Sequence, residues 1–245
     1  MSGPQCCSNP PALDSSCGVG HVEEIGGLKC YVTGPSHSKL ALLLISDIFG
    51  YEAPKLRKLA DKVSASGFYV VVPDFFYGDP FRGDPFATEN AGGRPLPVWL
   101  KDHGPDKGFE DAKPVIQALK SKGISSIGAA GFCWGAKPVL KLGTYACIQA
   151  AVLLHPSFVS LEDVQGVKVP ISILGAEIDI MSPPELLKKF EEALNAKPEV
   201  DSFVKIFPGV EHGWTVRYKD EDEAAVKSAH EAHEDMLNWF VKYVK

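Results

Sequence analysis

Residues Ser126-Ile-Gly-Ala-Ala-Gly131-Phe-Cys133-Trp-Gly135-Ala-Lys-Pro-Val-Leu140 decide how this chain folds. A strand-like run over Ser126–Gly131 meets a helical run from Ala136 to Tyr145 across five residues of the form G-x-C-x-G. That spacing is the nucleophile elbow, with sulfur in place of oxygen. The turn from strand to helix is so tight that side chains two residues either side of the nucleophile would collide with it, and the nucleophile itself sits in strained backbone. At the start of the helix, amide dipoles favour a thiolate, and the Trp134 amide points where an oxyanion would form. The competing reading is a buried cysteine at an ordinary strand–helix junction, since short glycine patterns recur by chance. The partners along the chain decide between the two.

Working outward, apolar and β-branched runs recur at Leu28–Thr33, Leu40–Ser46, Phe68–Pro73, Ala150–His155, Val169–Gly175 and Ser202–Phe207. Several lack alternation, which suits strands covered on both faces. Helical periodicity fills the gaps. Pro54–Ser66 places Leu56, Leu59, Ala60 and Val63 on one face, and Phe109–Lys122 does the same with Ala112, Val115, Ile116 and Leu119. Ser182-Pro-Pro-Glu185 reads as a capping box opening another helix. Asp220-Glu-Asp-Glu223 opens the last, with Val226, Ala229, His233, Met236, Leu237 and Phe240 as its inward stripe. Strands alternating with helices predict an α/β fold with a mainly parallel, doubly wound sheet. With no internal repeat, the chain reads as an irregular N-terminal arm over 1–21 and one domain over 22–245. The Gly- and Pro-rich segment Tyr77–His103 reads as a long loop or lid, with Trp99 near its end.

Two further residues complete the elbow's chemistry. The expected order is nucleophile, acid, histidine. The Val169–Gly175 run is followed by Glu177 and Asp179, both candidates for the acid at the rim where α/β sheets build their sites. His212 follows the last strand, inside Pro208-Gly-Val-Glu-His212-Gly213. Each is weak alone, but the required order at three strand ends is a strong signal. The other six histidines, His21, His37, His103, His155, His230 and His233, suit structural or solvated roles.

Composition narrows the function classes. The chain has 245 residues, 45% hydrophobic and 23% charged, and a net charge of −6. That imbalance argues against nucleic acid or an anionic membrane as the main partner. No secretory signal is legible, and no apolar run approaches the roughly 20 residues of a membrane span, so a cytoplasmic, thiol-reducing setting is the expectation. Cys6, Cys7, Cys17 and Cys30 crowd the N-terminal region, and with His21 they raise the question of a metal. They lack ligand spacing, so buried or idle thiols read better and no metal is expected. Palmitoylation of Cys6 or Cys7 would lack a second anchor.

Four motifs, Ser46-Asp-Ile-Phe-Gly50, Val72-Pro-Asp-Phe-Phe76, Gly131-Phe-Cys-Trp-Gly135 and His212-Gly-Trp214, resemble those of the dienelactone hydrolase family of α/β-hydrolases, over nearly the whole length from Val22. Within it the chain is similar to plant proteins named endo-1,3;1,4-β-D-glucanase and to animal carboxymethylenebutenolidase homologues. The resemblance implies Cys133 as nucleophile, His212 as general base and later acid, and Asp179 as the group orienting the imidazole. It maps the second oxyanion amide to Ile48, beside that of Trp134. The acid that controls the cysteine's protonation falls on Asp47, a methylene shorter than the family's usual glutamate. Arg217 is the counterpart of an arginine holding a substrate carboxylate; Arg82 and Arg94 align poorly with another. Phe49, Tyr51, Trp134 and Trp214 adjoin these positions and are candidates to line the pocket, with Trp99 a candidate to close it; for each, plain core packing is an equal alternative.

The expected activity is hydrolysis of a small ester or lactone through a thioester, without cofactor, by a monomer or homodimer. Two alternatives remain open at this stage: a mixed-linkage β-glucanase, for which no carboxyl pair stands out, and a non-catalytic binder of a small carbonyl compound.

Overall fold

The computed structural model describes residues 10–82 and 94–245. Eight strands form one sheet among them: β1 (His21–Ile25), β2 (Leu28–Thr33), β3 (Leu40–Ile45), β4 (Tyr69–Pro73), β5 (Ser126–Phe132), β6 (Ala150–Leu154), β7 (Ile171–Ile178) and β8 (Ser202–Glu211). They lie in the order β1-β2-β4-β3-β5-β6-β7-β8. β2 pairs antiparallel with β1 and β4; the strands from β4 to β8 are parallel. The helices are α1 (Pro54–Ser64), α2 (Leu96–Asp102), α3 (Pro105–Ser121), α4 (Ala136–Thr144), α5 (Leu161–Gly166), α6 (Pro184–Asn195) and α7 (Glu223–Tyr243).

Two apolar layers follow from strand alternation. In β3, Ala41, Leu43 and Ile45 point to the layer that holds α3, α4 and α6, while Leu42 and Leu44 point to the layer shared by α1 and α7. The doubly wound expectation therefore holds.

Several local expectations are corrected. Polar β1 extends the sheet where the sequence suggested only the start of the domain. The Tyr77–His103 segment contains a short helix, α2, and Trp99 is buried in it, its indole donating to the Asp79 carbonyl at 2.9 Å. Positions 83–93 of that loop, and Cys6 and Cys7 of the arm, lie outside the described residues. Ser182 does not cap α6, whose N-cap is Pro183 without a side-chain bond. A full capping box instead opens α5, between Ser160 and Asp163.

The described part of the arm is tied down by a buried cation. Arg57 donates to the carbonyls of Tyr51 at 2.9 Å and Ser15 at 2.7 Å, and its guanidinium stacks on Tyr31 and Tyr51. Cys30 packs in the core, where burial pushes its thiol up to about 12. No helix among the described residues is long and apolar enough to cross a membrane.

Candidate active site

Cys133, Asp179, His212, Asp47 and Ile48 all follow the C-terminal ends of strands, those of β5, β7, β8 and β3, along one edge of the sheet. Cys133 follows β5 directly, opens a single 3-10 turn (Cys133–Gly135), and adopts φ +51°. Left-handed backbone is costly for any side chain with a Cβ, so the strain expected of an elbow is present. The two glycines act differently from the sequence expectation. A Cβ on Gly131 would stand 2.2 Å from the Gly135 carbonyl oxygen, and one on Gly135 would stand 2.1 Å from that of Ile45. The collision they avoid is with backbone rather than with the Cys133 side chain. Gly135 thereby lets the elbow seat on the end of β3, where the Asp47–Gly50 turn begins with a Gly50 N–H to Asp47 carbonyl bond of 3.1 Å. Ile48 is the second residue of that turn, whose closing bond does not use its amide. Trp134 lies in the first turn of a helical segment, where amides have no partner within the helix.

Asp179 and His212 are brought together by the sheet itself. Ile178 pairs with Glu211 across β7 and β8, so the next residue on each strand is the acid and the histidine. His212 Nδ1 lies 2.7 Å from Asp179 Oδ2. The other carboxylate oxygen accepts from the amides of Met181 at 2.7 Å and Ser182 at 3.2 Å. Glu177, the rival acid, instead takes the Gly209 amide at 2.7 Å at the exposed edge. The sequence expectation ends the last strand at Phe207, before Pro208-Gly-Val-Glu-His212-Gly213. Instead β8 runs on to Glu211, with Gly209 at φ +67° and a register shift between Ala176 and Ile178, and fixes the ring at a strand end.

Cys133, Asp179 and His212 are all buried. Burial disfavours an imidazolium, yet the charge on Cys133 and the hydrogen bond to Asp179 outweigh it and hold His212 up to about 9. Ser157 Oγ lies 3.3 Å from Cys133 Sγ. His155, at the end of β6, packs edge-on against His212 with ring centres 5.1 Å apart. Its Nε2 meets Thr215 Oγ1 at 2.8 Å. Burial first, then the positive charges of His212 and Arg217, pushes His155 well below the ordinary histidine range. Neither Ser157 nor Thr215 drew notice in the sequence. The available signal was the run His155-Pro-Ser157 at a strand end on the same edge as the elbow.

The remaining candidates divide into two groups. Asp47 Oδ1 accepts from the Phe49 amide at 3.0 Å, and Oδ2 lies 3.4 Å from Arg217 Nε. Burial raises Asp47, opposed by Arg217. Arg217 has room because Gly213 lacks a Cβ, which would stand 2.1 Å from its Nη2. Arg94 pairs with Asp79 and Asp102. Phe49 and Tyr51 line a cavity of 430 Å³ with Asp74, Tyr77 and Pro80. His212, Trp214 and Arg217 line another of 560 Å³. Phe49 links the two, its ring 5.5 Å from the Arg217 guanidinium carbon. Trp134 lines neither: it is buried against Phe75 and Phe76, its indole donating to the His103 carbonyl at 2.8 Å.

The profile of the family described as "Dienelactone hydrolase family" matches residues 28–244. The chain belongs to the dienelactone hydrolase family. Among curated relatives of this dienelactone hydrolase family member, the endo-1,3;1,4-beta-D-glucanase of Zea mays is 41% identical over 204 residues, covering 80% of this chain and 63% of the maize protein. The chain thus spans under two thirds of that relative's length. The carboxymethylenebutenolidase homolog of Homo sapiens is 31% identical over 247 residues, covering 95% of this chain and 98% of the human one. A solved dienelactone hydrolase from Anabaena variabilis superposes with a TM-score of 0.63 at 15% identity, over 92% of this chain and 97% of that one. That likeness speaks to the fold.

Proposed function

We propose that the chain hydrolyses a small carboxylic ester or lactone through Cys133, His212 and Asp179. The observation that carries this reading is the 2.7 Å contact of Asp179 with His212, whose raised basicity depends on Cys133. The charge on Cys133 is the largest cause that holds the ring up to about 9, so imidazolium and thiolate favour each other, and this reading takes the sulfur as the thiolate. The thiolate attacks the carbonyl carbon, and the π electrons move to oxygen, stabilised by the amides of Ile48 and Trp134. Collapse breaks the C–O bond, and the departing alkoxide takes the His212 proton. The now neutral ring draws a proton from water, whose oxygen attacks the thioester. The thiolate leaves and the acid is released. Asp179 holds the tautomer and orientation that both steps need.

Cys133→Ala tests this. Turnover of an activated ester or lactone should fall at least about a thousandfold, and the intact wild-type mass should rise by one acyl group on Cys133 during turnover. Full turnover by the alanine variant would overturn the reading. A β-glucanase activity rests only on the name of the maize relative. Reducing-sugar release from barley β-glucan, measured beside ester hydrolysis on one preparation, separates the two. Sugar release alone would replace the esterase reading.

A further inference from the structure

We propose that Ser157 is a further catalytic residue, donating its hydroxyl hydrogen to the Cys133 thiolate and holding that anion in place between turnovers. This rests on Cys133 being the nucleophile.

Ser157 is fully buried, and its oxygen stands 3.3 Å from Cys133 Sγ. Buried hydroxyls find partners, and the sulfur is the side-chain partner of this one. The segment carrying it is aimed rather than incidental. Ser157 N–H donates to the Cys133 carbonyl at 3.0 Å, so the residue grips the elbow by backbone and by side chain. His155 at φ +38° and Phe158 at φ +62° bracket it, two left-handed positions that glycine does not fill. Ser182 Oγ donates to the Pro156 carbonyl at 2.8 Å, while the Ser182 amide donates to Asp179. One strained tetrapeptide, His155–Phe158, therefore touches the imidazole, the sulfur and the acid's loop.

The direction of the hydrogen bond follows from the charges around the sulfur. His212 after β8 is the cation, backed by Asp179, and the Asp47–Arg217 pair lies beside them with its opposite charges close together. His155 packs on His212 as a neutral ring. Beside an imidazolium the sulfur is favoured as thiolate, and a thiolate has no proton to give and accepts instead.

Such a bond is strongest to the anion and weakens when the sulfur carries an acyl group. It therefore favours the sulfur as leaving group over the sulfur as attacker, promoting thioester cleavage while restraining acylation.

The test is the pH dependence of Cys133 alkylation by iodoacetamide, in which the sulfur forms a C–S bond as iodide departs. The mass of the Cys133 peptide is followed so that the other five cysteines do not interfere. In Ser157→Ala the midpoint should rise by about one pH unit, equivalent to one charge-assisted hydrogen bond. The alkaline plateau should rise about threefold, because a less stabilised thiolate is a better nucleophile, so the two curves cross. Ser157→Thr, which keeps the hydroxyl, should follow wild type. Should Ser157→Ala lose its cooperative melting, Ser157→Gly provides the same comparison. An unchanged midpoint, or one that falls, would overturn the proposal, the latter by making the thiol the donor. A wild-type Cys133 no more reactive than the other thiols would instead defeat the nucleophile assignment, and this proposal with it. Fast Cys133 alkylation with no effect of Ser157 leaves that assignment standing.

Discussion

His212 is a buried histidine whose basicity depends on its neighbours. Burial alone would make it a weak base, as it does for His155 one ring away. The difference between the two is the company of Cys133 and Asp179. Cys133→Ala should therefore lower the His212 midpoint from about 9, which an NMR titration of its ring proton would follow. A midpoint that stays put would show that Asp179 alone sustains it. Because the folded value lies above the ordinary histidine range, the pair's contribution to stability is complete below about pH 6.5 and fades as pH rises through about 9. Asp179→Asn keeps the shape and removes the charge. A drop in kcat of about a thousandfold or more is expected, with little change in KM, because the imidazole loses its preferred tautomer. At this scale the sequence was most informative about Cys133 and His212, whose glycine surroundings were visible. It was silent on Ser157, because a serine three residues beyond an apolar strand has no local pattern that separates it from a turn residue.

Among the elements, the elbow and the end of β3 behave as one part. Gly135→Ala would drive a methyl into the Ile45 carbonyl, and neither backbone can retreat without tearing the β3–β5 pairing, which runs to Ile45 opposite Gly131. A loss of about 3 kcal/mol or more is expected, measurable as a lower urea midpoint. A variant that melts like wild type would show that the elbow can shift away from β3. The core helices and parallel strands were readable because burial on two faces leaves apolar runs with clear periods. β1 was not, since His-Val-Glu-Glu-Ile is an edge strand whose residues are mostly exposed. α2 was hidden by its leading proline and its brevity, and the Ser182 cap failed because that hydroxyl is drawn to the Pro156 carbonyl instead. Competing tertiary bonds, not weak propensity, account for that miss.

For the molecule as a whole, acid is the vulnerable side. His233, on α7, donates from Nε2 to the Thr215 carbonyl at 2.8 Å, and burial pushes it down to about 4. Burial also lowers His155, which bonds to the same threonine. A histidine depressed on folding adds stability above about pH 6.5 and loses it as pH falls towards 4. The melting temperature should fall across that window, and His233→Gln, which can still donate to the carbonyl, should flatten the slope. Equal slopes in the two proteins would remove His233 as a cause.

The Ile178–Glu211 rung also bears on which substitutions this chain can absorb. Because the acid and the imidazole each stand one step past a main-chain pairing, their meeting is inherited through backbone bonds that ignore side-chain identity. Substitutions on the outward faces of those two ribbons should therefore leave the contact between Asp179 and His212 at their tips in place.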